Sequence, residues 1–145
     1  MKARKAVFVL VLLVLGFAMW AQSYDETMVV YKITRDQLSG YLRSLDYSPS
    51  NIKDKFLGLE VNGYNVTLLC NGTNLEVFKW FSGPADPDLV NEFNSGYRFA
   101  YAYWDDENDI CVKSDLDMEK GITLGSIGEW LDTFGQLLDT YNEIE

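Results

Sequence analysis

Two runs of alternating apolar residues, Phe56 to Val61 and Tyr64 to Cys70, meet at Asn62-Gly63. A two-residue Asn-Gly link closes an antiparallel pair, because its positive-φ turn matches the right-handed twist of the flanking strands. Such a turn places Val61 opposite Tyr64. Leu57, Leu59, Val61, Tyr64, Val66, Leu68 and Cys70 then share one face, and Asn65, Thr67 and Asn71 point to the other. An antiparallel sheet that is apolar on one side needs other elements to cover that side. The rest of the chain is therefore read for helices that could do so.

Thr34 and Gln37 form a capping box, with Ile33 and Leu38 at the staple positions. Leu38, Tyr41, Leu42 and Leu45 follow at helical spacing; Gly40 weakens this helix slightly and Pro49 ends any continuation. Past the hairpin, Asn71 to Asn74 reads as a turn and Leu75 to Phe81 as a third strand. Ser82-Gly83-Pro84 breaks the pattern. Asp86 then caps a short helix with Pro87 at its first position, Leu89, Val90 and Phe93 as its buried stripe, and Gly96 at its C-cap. Tyr97 to Trp104 and Ile110 to Leu116 read as two strands around the polar break Asp105 to Asp109. Thr123 or Ser126, the latter with Glu129 as a second capping box, starts the last helix. Its stripe is Ile127, Trp130, Leu131, Phe134, Leu137, Leu138 and Tyr141. The expected fold is α+β, an antiparallel five-stranded sheet with helices in the order α-β-β-β-α-β-β-α. The expected divisions are a signal peptide over 1–21, a lead-in segment over 22–33 and one domain over 34–145.

The signal reading rests on Lys2, Arg4 and Lys5 followed by a 15-residue apolar run, Ala6 to Trp20. That run is short of the roughly 20 residues that span a bilayer. Cleavage after Ala21, or after Ala18, would release a periplasmic or secreted protein with no stable membrane span; an uncleaved anchor is the alternative. Beyond residue 21 the chain holds nine cations against 22 acids, a balance of −13. That repels nucleic acid, whose binding needs Lys and Arg on phosphate. There is no histidine, which removes the commonest general base and zinc ligand together. No cofactor or metal is implied and no catalytic residue is named.

Asp105, Glu107 and Asp109 alternate like calcium ligands, but the stretch lacks the central Gly and the later Glu of a calcium loop, and it suits a tight turn. With a two-residue turn at Glu107-Asn108, Tyr103 would pair with Val112 and Trp104 with Cys111. Phe99, Tyr101 and Tyr103 would then join Ile110, Val112 and Leu116 on the core face. Cys111 would fall with Lys113 and Asp115 on the opposite face from Cys70, leaving two free thiols. One more loop residue or a bulge would reverse the parity, and a disulfide stays open in an oxidising compartment. The same parity puts Phe78, Trp80 and Trp104, with Leu69 nearby, on the polar face beside Asn65, Thr67, Glu76, Lys113 and Asp115. Exposed aromatics of this kind mark an interaction site, so these three are the candidate partner-binding residues. A bulge or a covering helix would instead make them core.

The stretch FNSGYRFAYAYWDDENDICVKSDLDM, followed by GITLGSIGEWLDTF, resembles the YbjN-like domain of bacteria. The resemblance lies in Asn94, Arg98-Phe99, Asp105 to Asp109, Asp115-Leu116 and Gly121-Ile122-Thr123. Thr34 to Tyr47 and the Asn-Gly hairpin fit the family's opening, and the likeness runs from about Lys32 to Tyr141. It implies a fold similar to type III secretion chaperones and a role in sensory transduction regulation, with no catalytic residue to carry over. The expected function is an exported, non-enzymatic, chaperone-like or regulatory module that binds a protein partner or forms a homodimer. The alternatives are an envelope enzyme using carboxylates or lysine, and a purely structural envelope component.

Overall fold

The computed structural model describes residues 23–83, 86–107 and 109–144. The signal segment read over 1–21 lies outside them. Among the described residues no helix is long and apolar enough to cross a membrane.

The elements are β1 (Val29–Val30), α1 (Arg35–Ser44), β2 (Ser50–Lys53), β3 (Phe56–Val61), β4 (Tyr64–Cys70), β5 (Asn74–Phe81), α2 (Pro87–Gly96), β6 (Tyr101–Trp104), β7 (Ile110–Asp117), β8 (Ile122–Thr123) and α3 (Gly125–Ile144). The main sheet is antiparallel throughout, in the order β2-β3-β4-β5-β7-β6, and β1 and β8 make a separate two-stranded ribbon. The α+β class holds. The expected sheet of five strands is corrected to six. The added strand, Ser50-Asn51-Ile52-Lys53, is exposed at every position and carries no alternation to read. It is an edge strand with a bulge between Asn51 and Lys53, held to β3 by backbone pairing.

Local signals account for the helices. Thr34 caps α1, accepting from the Gln37 backbone while the Gln37 side chain accepts from Thr34. Asp86 caps α2 by accepting from Asp88, with Pro87 first in the helix. Gly96 does not act as a positive-φ C-cap: α2 runs through it and ends on extended Tyr97. The strand expected from Tyr97 begins only at Tyr101. Neither expected cap starts α3. The helix begins at Gly125, and Ser126 sits inside it with its hydroxyl on that of Thr123, 2.7 Å away.

Asn62 and Gly63 take φ of 51° and 82°, and Val61 pairs with Tyr64 as the turn requires. The face of Leu57, Leu59, Val61, Val66, Leu68, Leu75, Val77 and Val112 is buried. Covering it are Leu38, Tyr41 and Leu42 of α1, Val90 and Phe93 of α2, and Ile127, Leu131, Phe134, Leu138 and Tyr141 of α3. Trp130 adds a polar tie: its Nε1 donates to Ser114 Oγ at 2.9 Å, and that hydroxyl donates to the Phe99 carbonyl. The three helices of the described residues thus contribute to one core on one side of the sheet.

The open face of the sheet

The face away from this core is built from the other residue of each strand pair. One register row across it is Gly58, Thr67, Phe78, Lys113 and Tyr101. On one side lies Trp80, Cys111 and Tyr103; on the other, Phe56, Leu69, Glu76 and Asp115. Phe78 and Trp80 stack with centroids 5.4 Å apart and planes 17° apart. Tyr101 and Tyr103 lie 6.1 Å apart on the neighbouring edge strand. Trp80 and Tyr101 are each 43% exposed and Tyr103 37%.

Lys113 fills the space between the two aromatic pairs. Its ammonium lies 5.2 Å from the Phe78 centroid and 5.9 Å from that of Tyr101, and it bridges Glu76 and Asp115. Burial alone would lower its pKa. Its bonds to Glu76, Tyr101 and Asp115 outweigh burial and hold it above its ordinary range, so it stays charged and cannot serve as a base. Cys111 is wholly buried beneath these rings. Burial pushes its thiol up, against a bond from Tyr103 that pulls the other way. That bond and burial push the Tyr103 phenol up to about 12. A thiol kept protonated is a poor nucleophile.

The sequence-derived trio is thus divided. Phe78 and Trp80 come together on the open face. Trp104 does not join them: it pairs with Ile110, which pairs with Phe81, so it belongs to the helix-side register at the end of the sheet, 48% exposed. Tyr101 and Tyr103, expected in the core, take the place beside Phe78 and Trp80. The cause is the β6–β7 turn. Asp105 and Asp109 close it by a backbone bond of 3.0 Å, with three residues between them instead of two, and Tyr103 therefore faces Cys111 and not Val112. Phe99 is corrected too, lying before β6 and 74% exposed. The Asp105 carboxylate accepts from the backbones of Glu107 and Asp109, which is turn chemistry. Among the described residues no group of three carboxylates or thiols is placed to hold a metal. Cys70 and Cys111 are free, on opposite faces as expected, because the parity within β7 does not depend on the turn.

A residue noted only for kinship has a structural task. The Asn94 side chain accepts from Ala102 N at 2.7 Å and donates to Ala102 O at 2.8 Å. It pairs the free edge of β6 as another strand would, which blocks edge-on association there.

The model of the family described as YbjN, "Putative bacterial sensory transduction regulator", matches residues 34–143. No curated relative matches the sequence. Among solved structures, the chain is similar to that described as "Crystal structure of YbjN, a putative transcription regulator from E. coli". The TM-score is 0.64 at 14% identity, over 79% of this chain and 91% of that one, a likeness of fold.

Proposed function

We propose a function from two premises: the chain belongs to the YbjN family, and one face of its sheet carries stacked, half-exposed aromatics that no helix among the described residues covers. The protein is a non-enzymatic regulatory or chaperone-like module that binds another protein through this face, in the envelope compartment to which residues 1–21 would direct it. The observation that carries the reading is the pairing of Phe78 with Trp80 beside Tyr101 and Tyr103. Trp and Tyr supply large contact area at low entropic cost and dominate binding hot spots. Lys113, fixed between two carboxylates, adds a charged pattern that can set orientation. The acidity of the chain favours a basic partner over a second copy of itself.

The test is substitution. Trp80→Ser and Tyr101→Ser should leave stability within about 1 kcal/mol of the parent and abolish association with the envelope partner. Trp104→Ser, outside the cluster, should leave association intact. Loss of stability in both cluster variants, with no partner and a monomeric parent, would make these rings core. A concentration-dependent dimer lost in Trp80→Ser would make the partner a second copy.

A further inference from the structure

On the helix side, away from the open face, a cavity of about 280 Å³ lies between the segment before β1, the end of α1 and the first turns of α3. The backbone bond from Gly125 to Glu26, 2.9 Å, brings the first of these against the third. Among the described residues the cavity wall carries three carboxylates, Glu26, Glu129 and Asp132, and no lysine or arginine. Among the described residues none of the three is in an ion pair. Asp132 accepts from the Tyr47 hydroxyl at 3.0 Å.

The second observation is Tyr41. It is 1% exposed and lines the same cavity, and among the described residues its hydroxyl has no hydrogen-bond partner. A Cβ built on Gly128 would lie 3.8 Å from that oxygen, which places it at the cavity wall formed by α3. Burial, and then the charges of Glu26 and Glu129, hold the phenol above its ordinary value, so it keeps its proton. A buried hydroxyl without a partner is costly, and the charged groups on the cavity wall beside it are all carboxylates.

What would complete this cavity must bring N–H donors and positive charge. Among the described residues no group of three such ligands is placed to hold a metal ion. We infer that the cavity framed by Tyr41, Glu129 and Asp132 binds a primary ammonium or guanidinium group, carried by a small amine or by a Lys or Arg side chain of a partner. The carboxylates take its charge, and the Tyr41 oxygen accepts one of its N–H groups. Gly128 keeps the wall open. A methyl there would stand 3.1 Å from Leu45 Cδ1 and reach into the space before Tyr41.

Calorimetric titration of the purified protein at fixed ionic strength tests this. The probes are methylammonium, methylguanidinium, an uncharged-ended Gly-Arg-Gly peptide, and tetramethylammonium, which has the charge but no N–H. The expected result is saturable one-to-one binding of the first two, with tetramethylammonium weaker by about tenfold or more. Tyr41→Phe should weaken methylguanidinium binding by about threefold or more while leaving the thermal midpoint unchanged or higher, since it deletes an unpaired group. Gly128→Ala should abolish binding; Ala favours the helix, its methyl at 3.1 Å makes the Leu45 side chain shift, and the thermal midpoint shows that the variant is folded. Peptide binding as tight as that of methylguanidinium assigns the group to a partner side chain; a free cation binding alone assigns it to a small amine. Absence of saturation, equal affinity for tetramethylammonium, or affinity unchanged in both Tyr41→Phe and Gly128→Ala would overturn the inference and leave a solvated acidic cleft.

Discussion

The same strands present two different surfaces. On the helix side, β3, β4 and β5 offer Leu57, Leu59, Val66, Leu68, Leu75 and Val77, and three helices bury them. On the other side β5, β6 and β7 offer Phe78, Trp80, Tyr101 and Tyr103 around one lysine and its two carboxylates. Aliphatic residues pack to solid density and carry no polar atom to satisfy. Rings with a hydroxyl or an indole N–H, half-exposed, suit a surface that is sometimes wet. The contrast teaches that side-chain chemistry separates a face made for folding from one open to contact, even where burial differs only in degree.

Substitutions can break this contrast. The largest effect belongs to the covered face. Phe134, 1% exposed, lies at the centre of the α3 stripe, and Phe134→Ala should cost roughly 3–5 kcal/mol in urea unfolding. A cost under about 1 kcal/mol would show that the stripe is not the core. Next comes the sheet edge that borders both faces. Asn94→Ala removes both partners of Ala102, and a loss of about 1–2 kcal/mol is expected, with a new tendency to associate through β6. A variant as stable and as monomeric as its parent would show that water replaces Asn94 without penalty.

How far the sequence reached depended on where the information sits. The Thr34–Gln37 box, the Asp86-Pro87 start, the Asn62-Gly63 turn and the α3 stripe are local signals, and each appears in the structure. β2 was not legible because Ser50-Asn51-Ile52-Lys53 is an exposed edge held by backbone bonds, which leave no side-chain pattern. β1 and β8 are two residues each and exist only as each other's partner. The open face was half legible. Phe78 and Trp80 followed from the parity of β5, whereas Trp104, Tyr101 and Tyr103 hung on one residue of turn length between Asp105 and Asp109. The Tyr41 cavity had no sequence signal, since Glu26, Tyr41 and Asp132 meet only through the docking of α3.

Smaller effects sharpen the comparison further. Tyr103 on the open face and Tyr47 on the helix side both have phenols raised to about 12, Tyr103 first by its bond to Cys111 and Tyr47 first by burial. A folded pKa above the unfolded value near 10 means that the folded state holds protons which the unfolded chain has lost. Their contribution is therefore complete below pH 10 and is lost as pH rises from there towards 12. Ultraviolet titration should show late phenols in the parent and one fewer in Tyr103→Phe, since Tyr41, Tyr47 and Tyr64 are raised as well; a parent whose tyrosines all titrate near 10 would contradict it. The thiols differ by face but not in state. Alkylation without reductant should label Cys70 and Cys111 only after denaturation, whereas a two-proton mass deficit with no label would mean a disulfide.

The open face is tested most directly by what touches it in the cell. A photo-crosslinking amino acid placed at position 80 should give one discrete protein adduct in living cells. The same group at position 136, exposed on the outer side of α3, should give none. No adduct from position 80, or equal adducts from both positions, would contradict the account.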